Sequence, residues 1–149
     1  MNIVLDTNIV ASAIFFGGKP REVVELLFLE NIHSYVTTEI VEEYEETIEY
    51  LKNKYPGKKP QLPLTQIISA CNVIDSTSQI TICRDPDDDK FINCAKDAQA
   101  IYIVRGDKDL LSIQQIDGIE IVTASQFMER YNSIFQGERI YIRYSIWLN

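Results

Sequence analysis

Short apolar runs alternating with amphipathic helical stretches predict an α/β domain whose sheet is largely parallel and covered on both faces. Three observations carry this expectation. Runs such as Ile3-Val-Leu5 and Ile101-Tyr-Ile-Val104 are continuously apolar, as strands buried on both faces are. Apolar residues between them recur at helical spacing. The 149 residues are 46% hydrophobic and contain no linker-like segment, which suits a single core.

Taken in order, Ile3-Val-Leu5 reads as a strand ending in Asp6-Thr-Asn8, all good helix N-cap residues. A mainly apolar helix over Ile9 to Phe16 is broken by Gly17-Gly18. Pro20 suits the first turn of the next helix, along which Val23, Val24, Leu27 and Phe28 share a face. Ser34-Tyr-Val36 is a second strand. Thr37 or Thr38 then caps a helix running to about Lys54, with Ile40, Val41, Tyr44, Ile48 and Leu51 facing inward. Tyr55-Pro-Gly-Lys-Lys-Pro60 is a basic, turn-rich loop, too short for a domain linker. A helix from about Leu64 to Ala70 leads to Val73-Ile74. Ile80-Thr-Ile-Cys83 reads as a strand or strand edge, Arg84 to Lys90 as a loop and helix start, and Phe91, Ile92, Ala95 and Ala98 as the helix that follows. Ile101 to Val104 is a strand stopped by Gly106-Asp107, Leu110-Leu111 begins a short helix, and Ile119-Glu-Ile-Val122 is a further strand. Thr123-x-x-Gln126 is a capping box opening a helix through Phe127 and Tyr131. The tail alternates Ile140, Ile142, Tyr144, Ile146 and Leu148 with Tyr141, Arg143, Ser145 and Trp147, which suggests a final strand.

No apolar run approaches the ~18 residues of a membrane helix. The N-terminus has no basic segment and places Asp6 where a signal peptide would stay apolar. Cys71, Cys83 and Cys94 form no Cys-x-x-Cys pair and read as reduced, buried thiols. The expectation is a soluble, cytoplasmic domain. A net charge of -8 argues against binding by phosphate neutralisation alone and predicts weak metal-free affinity for nucleic acid. Carboxylates holding divalent cations would reverse that local sign.

The acids are placed suggestively. In an open α/β sheet the functional crevice lies outside the carboxyl ends of the strands. Asp6 follows the first strand directly, Glu42 and Glu43 lie early in the helix after the second, Asp85, Asp87, Asp88 and Asp89 follow Ile80 to Cys83, and Asp107 and Asp109 follow Ile101 to Val104. Converging carboxylates repel one another unless cations sit between them, and hard oxygen ligands suit Mg²⁺ or Mn²⁺. Each acid also has an ordinary explanation. Asp6 alone suits helix capping, the acids after Asp85 suit a dipole-matched helix start, and Glu39, Glu42, Glu45, Glu46 and Glu49 suit a solvated helix face. Glu43 stands closer to the apolar stripe. Arg84, Lys90, Arg105 and Lys108 flank the acids and suit either RNA phosphate contact or local charge balance.

Val4-Leu-Asp6-Thr-Asn8, Thr38-Glu-Ile-Val-Glu-Glu43-Tyr44, Asp85-Pro-Asp-Asp88-Asp-Lys-Phe91 with Ala95, and Ile103-Val-Arg-Gly-Asp107-Lys-Asp109-Leu-Leu111 together resemble the PIN domain. More narrowly they resemble the VapC-like branch described as toxins of toxin–antitoxin systems. The resemblance runs from about Met1 to Tyr131. It implies an α/β/α sandwich around a central, mostly parallel sheet, with a PIN-like nuclease domain over residues 1–135 and a tail over 136–149 that has no counterpart. It also implies a ribonuclease dependent on Mg²⁺ or Mn²⁺, an RNA substrate, an antitoxin protein partner and a homodimer. Asp6, Glu43, Asp88 and Asp107 would be the catalytic metal ligands, Asp109 would contribute directly or through water, and Asn8 or Thr7 would hold Asp6. A metal-bound water would attack phosphorus, so no side chain need be the nucleophile. Thr37 or Thr38 stands where the family often has serine.

Other readings fit less well. A calcium loop beginning at Asp85 would need glycine where Lys90 stands and glutamate where Lys96 stands. A phosphatase of the haloacid dehalogenase type wants a second aspartate at Asn8, and a Toprim-like domain wants glutamate at Asp6. His33 reads as a surface residue in a loop. The rival from another class is a PIN-like module that binds RNA or protein without cutting.

Overall fold

The structure is a computed structural model that describes residues 1–79, 81, 86–106 and 115–135. Its elements run β1 (Asn2–Leu5), α1 (Thr7–Phe15), α2 (Gly18–Glu25), β2 (His33–Val36), α3 (Thr38–Lys54), α4 (Leu64–Ser69), β3 (Asn72–Val73), α5 (Asp89–Asp97), β4 (Tyr102–Arg105), β5 (Gln115–Ile116) and β6 (Ile119–Thr123). Residues 124–135 are helical (α6).

One sheet in the order β3-β2-β1-β4-β6-β5 organises the chain. All neighbours are parallel except β5 and β6, which are antiparallel. Successive strand residues point to opposite faces, so the complete burial of Ile3, Val4 and Leu5 shows both faces of β1 covered. The alternating pattern of an open sheet is absent there for that reason.

Several elements differ from expectation in instructive ways. α2 stops at Glu25 and a 3-10 turn over Leu26–Phe28 replaces its last turn, which buries Leu26 and Leu27 while Phe28 remains exposed. His33 is exposed as expected but belongs to β2 rather than a loop. The short strand β5, unexpected from the sequence, forms a hairpin with β6 through Asp117-Gly118, both at positive φ as the tight hairpin turn requires. The expected capping box is present: the Thr123 N–H donates to Gln126 Oε1 at 2.9 Å, and the Gln126 N–H donates to Thr123 Oγ1 at 3.1 Å. α6 then lays Phe127 edge-on against Tyr102 of β4, at 5.7 Å between centroids, with Tyr131 and Phe135 continuing the row. The expected strand at Ile80 to Cys83 (apart from Thr81), the helix at Leu110-Leu111, and the tail from Gln136 to Asn149 lie outside the described residues. Among the described residues no helix is long and apolar enough to cross a membrane.

Candidate active site

The β1–β4 boundary is where the chain, having built β2 and β3 to one side of β1, crosses to the other. Crevices in open α/β sheets form at such a reversal, outside the carboxyl ends of the strands. Asp6 stands there. Its backbone N–H donates to the Val104 carbonyl at 2.9 Å, so the β1–β4 ladder fixes its position. It occupies the N-cap position of α1, yet its side chain makes no capping hydrogen bond. Capping, the ordinary explanation of this residue, does not account for the carboxylate.

That carboxylate is 5% exposed, and Oδ2 accepts no hydrogen bond from the described residues. The Arg105 guanidinium, from the end of β4, is 4.0 Å away. Burial pushes the Asp6 carboxyl up to about 6; Arg105 opposes the shift, and Asp88 and Glu43 add to it.

Glu43 and Asp88 lie on either side. Glu43 projects half-buried from α3. It accepts a hydrogen bond from the Thr7 hydroxyl and pairs with Lys90 at 2.5 Å. Asp88, immediately before α5, pairs with Arg105 at 3.1 Å. Lys90 and Arg105 are themselves largely buried, with side chains 13% and 11% exposed. Burial works against the Lys90 charge, but Glu43, Glu39 and Asp87 outweigh it and raise its pKa.

Arg105 thus bridges Asp6 and Asp88, while Glu43 pairs separately with Lys90 and adjoins Asp6 through Thr7. Glu39, Glu42, Glu45, Glu46 and Glu49 are exposed, as a solvated face requires. Asp107 and Asp109 lie outside the described residues, as do Arg84, Asp85 and Lys108. Among the described residues no three His, Cys, Asp or Glu side chains are close enough to hold a metal ion as they stand. The expected support of Asp6 is corrected. The Thr7 hydroxyl serves Glu43, and only the Thr7 backbone N–H faces Asp6. Asn8 is exposed, its Cβ next to Gly106.

Two supports were not foreseen. The buried Tyr44 hydroxyl donates to the Leu5 carbonyl at 2.5 Å, tying α3 to the strand residue before Asp6. Asp97, at the end of α5, gathers the segment after β3. Its carboxylate accepts from the Ser76 and Ser78 hydroxyls, each at 2.5 Å, and from the Thr77 and Ser78 N–H groups at 2.9 and 3.0 Å. These bonds hold its carboxyl down at about 2. Ser76 and Ser78 wall one side of a groove of about 550 Å³. Thr37, Asp87 and Lys90 line it as well, so it opens beside the Glu43–Lys90 pair. The only prior signal was Ser76-x-Ser78, which could not name its distant acceptor. Cys94 is buried and Cys71 half-buried, and burial pushes their thiols up to about 12 and about 11. They remain protonated and inert at neutral pH.

Residues 2–109 match the family model of the PIN domain. An uncharacterized protein of Methanocaldococcus jannaschii is 32% identical over 143 residues, with 88% of this chain and 92% of that protein covered. Among solved structures, the PIN domain of T. brucei RRP44 is similar with a TM-score of 0.48 at 15% identity, over 94% of this chain and 86% of that one.

Proposed function

The chain belongs to the PIN domain family, whose members are generally nucleases, and on that premise we propose that it is a metal-dependent endoribonuclease. Asp6, Glu43, Asp88 and Asp107 would hold Mg²⁺ or Mn²⁺, with Asp109 contributing directly or through water. The observation that carries this reading is the Asp6 carboxylate, buried at the carboxyl end of a central strand with one oxygen accepting no hydrogen bond from the described residues. A structural aspartate so deeply buried ordinarily satisfies both oxygens, because an unpartnered buried acceptor costs stability. A cation at that oxygen would offset the cost. The donors are hard oxygens from separate elements, which suits these ions.

When bound, the ion supplies a water of lowered pKa for attack on phosphorus. The chain's own residues set the stage. Thr7 orients Glu43, Arg105 orients Asp88, and the β1–β4 ladder fixes Asp6. Lys90 pairs with Glu43 and Arg105 with Asp88, and both cations carry donors suited to phosphate oxygens. The motif order further supports a toxin role, with an antitoxin protein as partner and a homodimer as the working form. Growth arrest on induction, relieved by Asp6→Asn, would check that role. Residues 1–135 form the nuclease domain in this reading, and a chain ending at Phe135 should retain cleavage in the RNA assay below.

One observation favours the non-catalytic alternative: Lys90 and Arg105 already balance much of the acidic charge. The deciding experiment is cleavage of labelled single-stranded and structured RNAs in Mg²⁺, Mn²⁺ or EDTA by wild type, Asp6→Asn and Asp88→Asn. Metal-dependent cutting lost in both variants supports the nuclease. Absence of cutting in any metal, with intact folding and retained RNA or protein binding, establishes the module instead. Activity surviving both substitutions means that the site is misplaced.

A further inference from the structure

We infer that the C-terminal end of α3, with the loop after it and the end of α1, is a docking surface for single-stranded RNA, distinct from the acids. The inference rests on RNA being this chain's ligand and adds where a strand is held. In a chain of net charge -8, residues 50–74 contain four lysines and no aspartate or glutamate. Phe16, Tyr50 and Tyr55 are 61%, 58% and 48% exposed there, the first standing just past the end of α1. Lys54 lies over the rings of both Tyr50 and Tyr55, at 5.5 and 5.4 Å, and Lys58 lies over Phe16 at 3.8 Å. Phe16, Tyr55 and Lys58 also line one small crevice, so the patch is continuous across the two helices.

Helix electrostatics explains part of this. Lys52 and Lys54 in the last turn complement the helix dipole. It does not explain Lys58 and Lys59, which lie beyond the helix, or the three exposed rings. Rings paired with flexible ammonium groups are what a single strand uses: bases stack on the rings while the cations meet phosphates. A duplex keeps its bases stacked internally and cannot use the rings, and an acidic peptide would leave them idle. Glu43 and Lys54 are about 16 Å apart along the helix axis, a span that a strand reaching the acids covers with a few nucleotides.

The test is fluorescence anisotropy of a labelled oligouridylate in EDTA, with wild type, a Tyr50→Ala/Tyr55→Ala double variant and a Lys54→Ala/Lys58→Ala double variant. All four positions are exposed, so folding is not at stake. Both doubles are expected to bind about tenfold more weakly. The lysine double should also lower the slope of log affinity against log salt by about 0.7 per lysine removed. A blunt RNA duplex should bind wild type more weakly and be indifferent to the tyrosine double. Unchanged oligouridylate affinity in both doubles overturns the inference. So does a patch-dependent interaction with phosphatidylserine vesicles, or patch-dependent self-association, in place of RNA binding. In Mn²⁺, a raised KM with unchanged kcat in the doubles supports it. RNA bound through the patch but never cut leaves this inference standing and removes the nuclease reading, whereas cutting with an unaltered KM does the reverse.

Discussion

The two ends of α3 differ in almost every physical respect. Six acids lie between Thr38 and Glu49, and among them Glu43 turns inward to meet Thr7 and Lys90. The other end is basic, aromatic and exposed. Charge alone cannot mark either end as functional, since acids first and lysines last is the order any helix dipole favours. What separates them is where the partners come from. The acidic end draws β1, β4 and α5 into a half-buried cluster, while the basic end presents rings to solvent with Lys54 and Lys58 over them. A net charge of -8 therefore describes neither end.

The sharpest way to break this contrast is at the buried acid. Asp6→Asn should reduce metal-dependent cleavage by more than the ~100-fold that loss of an outer partner costs, as read in single-turnover assays. The same variant, freed of metal with EDTA, should be more stable than wild type. The Asp6 carboxyl stands at about 6 against an ordinary 3.8, so the folded state holds this proton more tightly than the unfolded one. The favourable contribution is complete below about pH 4 and is lost as pH rises through about 6. Thermal melts should thus show Asn stabilising by up to about 3 kcal/mol above about pH 7, with the gain vanishing in acid. An Asp6→Asn melting difference that ignores pH would contradict the assignment of burial as the cause.

Thr7→Val comes next. It removes the hydroxyl bonded to Glu43, and Mn²⁺ affinity measured by calorimetry should fall by about 10–100-fold. Reversing the other end, as Lys52→Glu/Lys54→Glu, should leave Mn²⁺ affinity unchanged while raising KM for long single-stranded RNA by about tenfold. The smallest effect belongs between the ends. Tyr44→Phe gives up one hydrogen bond to Leu5 and should cost about 1 kcal/mol in chemical denaturation.

The sequence made much of this geometry legible, for identifiable reasons. Continuous burial of Ile3, Val4 and Leu5 writes itself as an unbroken apolar run, and the Thr123–Gln126 box is a local interaction that needs no tertiary partner. The acids at strand ends were legible because the crevice of an open sheet is a matter of topology. Lys90 and Arg105 were ambiguous because the choice between balancing acids and meeting phosphate depends on burial, which spacing does not encode. The patch of Phe16 with Tyr55 and Lys58 joins residues far apart in the chain, and so left no local trace. β5 did leave one, in Asp117-Gly118, but a two-residue strand carries almost no periodicity.

The Asp97 knot gives the groove an unusual kind of wall. Segment 76–78 is held to α5 by four hydrogen bonds on one half-buried carboxylate, so its shape depends on a charge state as well as on packing. Such a wall is modular. Changing one atom type, with Asp97→Asn, would loosen one rim of the groove and leave the sheet and its core as they are, so the width of the opening beside Lys90 can be varied independently of the stability of the domain that carries it.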